Sequence, residues 1–163
     1  LAATNRAPGR NRTFSAQEWA TFPKELWQQE LEAADARTFH GDYHIFASDI
    51  DPKAVSIAKQ NAQRAGVADL IEFSVADATQ FDRRTDRGVI VTNPPYGERM
   101  LEKKEAEALY TAFGKAYQKT EHWSLYLICS HPNFEQSFGQ TADKKRKLYN
   151  GMIRCDLYQY HKK

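Results

Sequence analysis

Apolar residues recur at two different periods along this chain, and the changes of period mark out its elements. Trp27, Leu31 and Ala34 follow one another at steps of four and three, the spacing of one helical face. Pro23 suits a first helical residue, where its missing N–H would be unpaired in any case. The pattern therefore predicts a helix over residues 23–38. Gly41-Asp42 breaks the chain, and residues 44–48 read as a strand. Asp51 then precedes Pro52, a cap followed by a good first helical residue. Val55, Ala58, Ala62 and Ala65 set out the buried face of that second helix, and Gly66 ends it. Residues 71–75 form the next predicted strand. Val89-Ile90-Val91 is apolar without alternation, which predicts a third strand over residues 89–92, buried on both faces. Ala106, Tyr110, Phe113 and Tyr117 mark another helix, and residues 125–129 a fourth, wholly apolar strand. Asn150-Gly151 sits between the apolar pairs Leu148-Tyr149 and Met152-Ile153, a strong signal for a two-residue hairpin.

Strands that alternate with helices argue for an α/β fold with a doubly wound, mostly parallel sheet, and the closing hairpin adds one antiparallel strand. One domain spanning residues 1–163 is expected, with a helical and loop lead-in over 1–40 and the α/β core over 41–163. Its 163 residues can bury a real core, and 41% hydrophobic with 27% charged residues is an ordinary globular composition. No run approaches the ~20 apolar residues of a membrane span, and no basic-then-apolar amino end reads as a secretion signal; no membrane partner is expected. Cys129 and Cys155 lie far apart in strand-like segments. They read as buried reduced thiols, which points to a cytoplasmic location. No cysteine or histidine pair has zinc-ligand spacing, so no metal is expected. The absence of G-x-G-x-x-G argues against a nicotinamide dehydrogenase.

Candidate chemistry gathers at strand ends, where open α/β sheets bind ligands. Asn93-Pro94-Pro95-Tyr96 follows the third strand. Two prolines lack backbone donors and hold the chain extended, leaving the Pro94 carbonyl outside any ladder. The Asn93 side chain adds an amide oxygen, also an acceptor, and Tyr96 a flat ring for stacking. Together they suit a planar ring with an exocyclic NH2, because two acceptors can hold its two N–H bonds. Asp49 follows the first visible strand, where a carboxylate can accept both hydroxyls of a ribose. Asp51 reads instead as the helix cap. Asp77 follows the second strand.

Asn-Pro-Pro-Tyr after a strand resembles the signature of S-adenosylmethionine-dependent methyltransferases that modify exocyclic amines of nucleobases. With Ser48-Asp49-Ile50-Asp51-Pro52, Ala65-Gly66-Val67-Ala68-Asp69-Leu70-Ile71 and Gly97-Glu98-Arg99, the chain resembles the bacterial RNA guanine-N2 methyltransferases that carry a THUMP domain. Ala2-Ala3-Thr4-Asn5-Arg6-Ala7-Pro8-Gly9 and Lys147-Leu148-Tyr149-Asn150-Gly151 extend the likeness nearly end to end. The resemblance implies a Rossmann-like class I methyltransferase fold, S-adenosylmethionine as cofactor and large-subunit ribosomal RNA as substrate. It implies that Asp77 faces the adenine amine of the cofactor, with Asp49, Ile50, Ala78 and Asn93 also lining that site. Asn93, Pro94, Pro95 and Tyr96 would present the base for methylation. One departure stands out: of eight glycines, no two lie within two residues of each other, so the family's glycine-rich loop is absent. With Leu1 rather than Met at the start, the sequence reads as the downstream part of a longer protein, the THUMP domain, first strand and glycine loop lying upstream.

The net charge of +2 does not by itself indicate a nucleic-acid partner, but it leaves room for local basic patches. Lys144-Lys145-Arg146-Lys147, Arg10 with Arg12, and Lys103-Lys104 could meet phosphates. Two other functions remain open at this point. One is an adenine-N6 methyltransferase on DNA or RNA, since both bases carry the same kind of amine. The other is a non-catalytic nucleic-acid-binding fragment.

Overall fold

The computed structural model describes residues 12–38, 44–81, 84–96 and 103–162. The chain divides into two compact units, Leu1–Val75 and Ala76–Lys163. Arg10, the segments 2–9 and 97–99, and the break at Gly41-Asp42 lie outside the described residues.

In the first unit, α1 runs over Lys24–Ala36 and its half-buried positions are Trp27, Leu31 and Ala34, the three that the spacing picks out. Pro23 is the cap of this helix rather than its first residue, with an extended ψ of 117°. Phe14 and Phe22 pack on Trp27, ring centroids 5.5 and 6.3 Å away. Strand β1 (Ile45–Asp49) pairs in parallel with β2 (Ile71–Val75), and α2 (Pro52–Arg64) connects them. Asp51 caps α2: its Oδ1 accepts from the Lys53 N–H at 2.8 Å. Gly66 follows the helix in the left-handed region at φ 67°, where a Cβ would be strained. The predicted buried face of α2 is only partly realised. Ala62 is buried and Val55 half-buried, while Ala58 and Ala65 are exposed. A two-stranded sheet is too narrow to cover every apolar position on a helix of 13 residues.

The second unit holds strands β3 (Gly88–Thr92), β4 (Trp123–Cys129), β5 (Lys144–Asn150) and β6 (Ile153–Tyr160), in the order β3-β4-β6-β5. β3 and β4 are parallel, and β6 runs antiparallel to both β4 and β5. The hairpin signal predicts one antiparallel strand at the end of the sheet; the one antiparallel strand is β6, and it lies inside, with β5 at the edge. The hairpin loop is one residue later than that signal suggests: Asn150 pairs with Ile153, so Gly151-Met152 is the two-residue loop. Gly151 takes φ 62° at its first position, where glycine is favoured.

Helix α3 (Lys103–Gln118) lays Ala106, Tyr110, Phe113, Gly114 and Tyr117 onto the sheet. Short α4 (Phe134–Phe138) adds Phe134 and Phe138. All of these except Gly114 form one cluster with Leu125, Leu127 and Cys129 of β4 and Tyr158 and Tyr160 of β6. Rings meet closely, Phe134 on Tyr158 at 4.6 Å and Phe138 on Tyr160 at 5.1 Å, and such pairs add to the area they bury. The buried phenols find acceptors: Tyr117 donates to the Trp123 carbonyl at 3.0 Å and Tyr160 to the Gln140 carbonyl at 3.2 Å. A methyl at Gly114 would sit 2.0 Å from the Phe138 carbonyl oxygen, so the close approach of α3 to α4 needs glycine there.

β3 departs from expectation. Val89 and Val91 are 60% and 79% exposed, whereas Ile90 packs against the core cluster. β3 is an edge strand among the described residues, and α3 and α4 cover one face of its sheet. Alternation then sends Val89 and Val91 to the other face.

Candidate functional site

Asn93-Pro94-Pro95-Tyr96 follows directly on β3, and the core holds it in place. Tyr110 donates its phenol proton to the Pro95 carbonyl at 2.5 Å, a contact between residues 15 apart in sequence. Burial pushes the Tyr110 pKa far up, with the Cys129 thiol adding to it. The phenol therefore keeps its proton at any physiological pH and remains a donor. With the Pro95 carbonyl taken, the Pro94 carbonyl is the one without a partner among the described residues.

Tyr96 is half-buried, and its ring packs against the core cluster. Its hydroxyl donates to Asn93 Oδ1 at 2.5 Å. It also lies 3.8 Å from the Cys155 thiol, with the Asn150 side chain nearby. Burial raises its pKa, as does the Cys155 thiol, so it too stays protonated. A carbonyl oxygen has two lone pairs. The Tyr96 proton therefore occupies one and fixes which Asn93 atom is the oxygen. The second lone pair remains for an incoming N–H, and Asn93 is exposed. The corner thus offers two acceptors, Asn93 Oδ1 and the Pro94 carbonyl, on a backbone pinned from beneath.

Asp77 lies in the same unit and caps the short turn Ala78–Gln80. Its Oδ1 accepts from both the N–H and the hydroxyl of Thr79, each at 2.8 Å. These two bonds hold its pKa below the usual carboxylate value, so the group is ionised at neutral pH. In the first unit, Asp49 is the last residue of β1 and accepts from the Asp51 N–H at 2.9 Å through Oδ1. Ile50 is 70% exposed. A cleft of about 110 Å³ lined by Ala47, Ser48, Asp49, Val55 and Phe73 runs beside Asp49. Each of these two aspartates uses one carboxylate oxygen to fold its own turn and leaves the other without a partner among the described residues. Such oxygens fit the hydroxyl and amine donors of a nucleoside, so the residues present suit a nucleoside-bearing cofactor.

Sequence reasoning missed Tyr110, Cys155 and Asn150 as supports of the corner. Their only signal was strand and helix membership, since each reaches the site through tertiary packing. Cys129 and Cys155 are buried free thiols, as expected, and burial pushes the Cys129 thiol up. Among the described residues there is no cluster able to hold a metal and no helix long and apolar enough to cross a membrane.

Acceptors at the strand ends of an α/β fold suit a nucleoside-bearing ligand. The family model described as UPF0020, RMKL-like, methyltransferase domain matches residues 1–159, and the chain belongs to that family. It is 45% identical over 164 residues to a Bacillus subtilis (strain 168) protein named "Putative RNA methyltransferase YpsC", covering 100% of this chain and 43% of that one. It is 37% identical to the ribosomal RNA large subunit methyltransferase K/L of Shewanella baltica (strain OS155), covering 99% of this chain and 24% of the relative. Among solved structures, the one described as "SMU.472, a putative methyltransferase complexed with SAH" superposes with a TM-score of 0.86 at 37% identity, covering 98% of this chain and 42% of that one. The chain thus spans less than half the length of these relatives.

Proposed function

We propose that this chain is the part of an S-adenosylmethionine-dependent RNA methyltransferase that holds the target base, with guanine N2 of large-subunit ribosomal RNA as the methylated atom. The observation that carries the reading is the pair of acceptors, Asn93 Oδ1 and the Pro94 carbonyl, on a corner that Tyr110 and Tyr96 fix in place. Family membership and the relatives named for RNA methylation support it.

The cofactor, when bound, supplies an activated methyl group. Asp49 would accept from its ribose hydroxyls and Asp77 from its adenine amine, and Ile50, Ala78 and Asn93 would also contact it. The target base leaves its stack at a cost of a few kcal/mol, and the exposed part of the Tyr96 ring packs against it. Asn93 and the Pro94 carbonyl accept the two N–H bonds of the amine, which draws its lone pair out of the ring and aims it. Positioning is the main effect. Asn93 has no useful basicity, so the amine proton departs to solvent after substitution rather than to a protein base.

The test is transfer of labelled methyl from S-adenosylmethionine to ribosomal RNA by the protein that carries this chain, followed by digestion to nucleosides. N2-methylguanosine is the expected product. N6-methyladenosine, or transfer to duplex DNA in preference to RNA, would replace guanine by adenine as the target. Methyl on ribose or on a ring nitrogen would refute the amine-holding corner.

A further inference from the structure

The basic run 144–147 forms the outer strand of the second unit's sheet, and its four cations have different fates. Lys145 is committed within the protein, its ammonium 2.7 Å from Glu135 Oε2. Lys147 lies over the Tyr149 ring at 5.5 Å. Lys144 and Arg146 are exposed and have no carboxylate partner among the described residues. The register places them on one side of the strand. Leu148 pairs with Cys155 and Arg146 with Leu157, so Lys144, Arg146, Leu148 and Asn150 share a face at alternate positions. That stripe ends at the corner: the Asn150 side chain lies near the Tyr96 hydroxyl, and the Sγ of Cys155, the cross-strand partner of Leu148, lies 3.8 Å from it. Lys144 and Arg146, whose Cα positions lie about 7 Å apart along the strand and which meet no carboxylate among the described residues, thus lead along an edge that no described strand covers to the residues that hold the base.

We propose that Lys144 and Arg146 form a phosphate track for the single-stranded RNA flanking the target base, delivering it along β5 to Tyr96. This rests on the reading of the corner as a nucleobase site. Phosphate contacts release counterions, so each steepens the salt dependence of binding by about 0.7 for a single strand. Nearby Lys145 supplies an internal control, because its charge is already engaged by Glu135.

The experiment measures fluorescence anisotropy of a labelled single-stranded RNA against the protein carrying this chain, over a series of salt concentrations. The Lys144→Ala/Arg146→Ala double variant is expected to lower the slope of log affinity against log salt by about 1.4, with far-ultraviolet circular dichroism and thermal unfolding unchanged. Lys145→Ala is expected to leave the slope near that of the unsubstituted protein. An unchanged slope in the double variant overturns the track, as does an equal fall in Lys145→Ala. A polyglutamate peptide bound as tightly as the RNA would overturn it in favour of an acidic protein partner. Labelled methyl transfer by the unsubstituted protein is scored separately, so the track can fail while the methyltransferase reading stands.

Discussion

In the second unit Tyr110, Tyr117, Tyr160, Phe134 and Phe138 are all 1% exposed or less, whereas in the first unit Ala62 is the one buried side chain among the described residues. The two units are consequently held by different forces. The second has a continuous aromatic core beneath its sheet, and aromatic burial is among the largest favourable terms available to a small unit. In the first, local devices are prominent: the Asp51 cap, the Asp49 turn, the Gly66 helix end and a short parallel pair of strands. The contrast bears on chemistry. The Asn93–Tyr96 corner is bolted to the core through Tyr110 and Tyr96, so its acceptors are fixed in advance. Asp49 is placed by a short strand pairing, opposite Val75, and by its turn to Asp51.

The largest expected effect on this contrast comes from emptying the core. Phe134→Ala removes a ring that meets Tyr110, Phe138 and Tyr158, and the cavity should cost about 3–5 kcal/mol of unfolding free energy. Thermal or denaturant unfolding measures it, and a loss below ~1 kcal/mol would show that the aromatic cluster is not what stabilises the second unit. A smaller effect separates the core from the site it carries. Tyr110→Phe keeps the ring and deletes the hydroxyl that donates to the Pro95 carbonyl and meets the Cys129 thiol. It should cost on the order of 1 kcal/mol of stability and lower kcat by a comparable ~5-fold, with KM little changed. An unaltered kcat would mean that the corner keeps its shape without Tyr110.

Most of the element plan was legible because periodicity is a local property. The steps of three and four through Ala106, Tyr110, Phe113 and Tyr117 fixed α3 and its buried face, and Asn93 could be placed at a strand end from the apolar residues before it. Legibility failed where neighbours in space decide. The apolar run Val89-Ile90-Val91 could not reveal that one face of β3 lacks a covering layer. Helix α4, five residues long, is too short to show a period. At the site, the types and order of Asn93, Pro94, Pro95 and Tyr96 disclosed the acceptors. Their fixation depends on partners 15 and 59 residues away, Tyr110 on Pro95 and Cys155 beside Tyr96, and no local pattern announces such contacts. The basic run 144–147 read as four equal charges, and only strand pairing and the Glu135 contact divided them.

The most direct test of the central claim is Asn93→Ala in the protein that carries this chain, with methyl transfer and S-adenosylmethionine affinity measured side by side. Removing one of two preorganised partners of the reacting amine should lower kcat by about 10²–10³-fold, while cofactor affinity stays within a few-fold of the unsubstituted protein. Turnover at the unsubstituted rate would contradict the account.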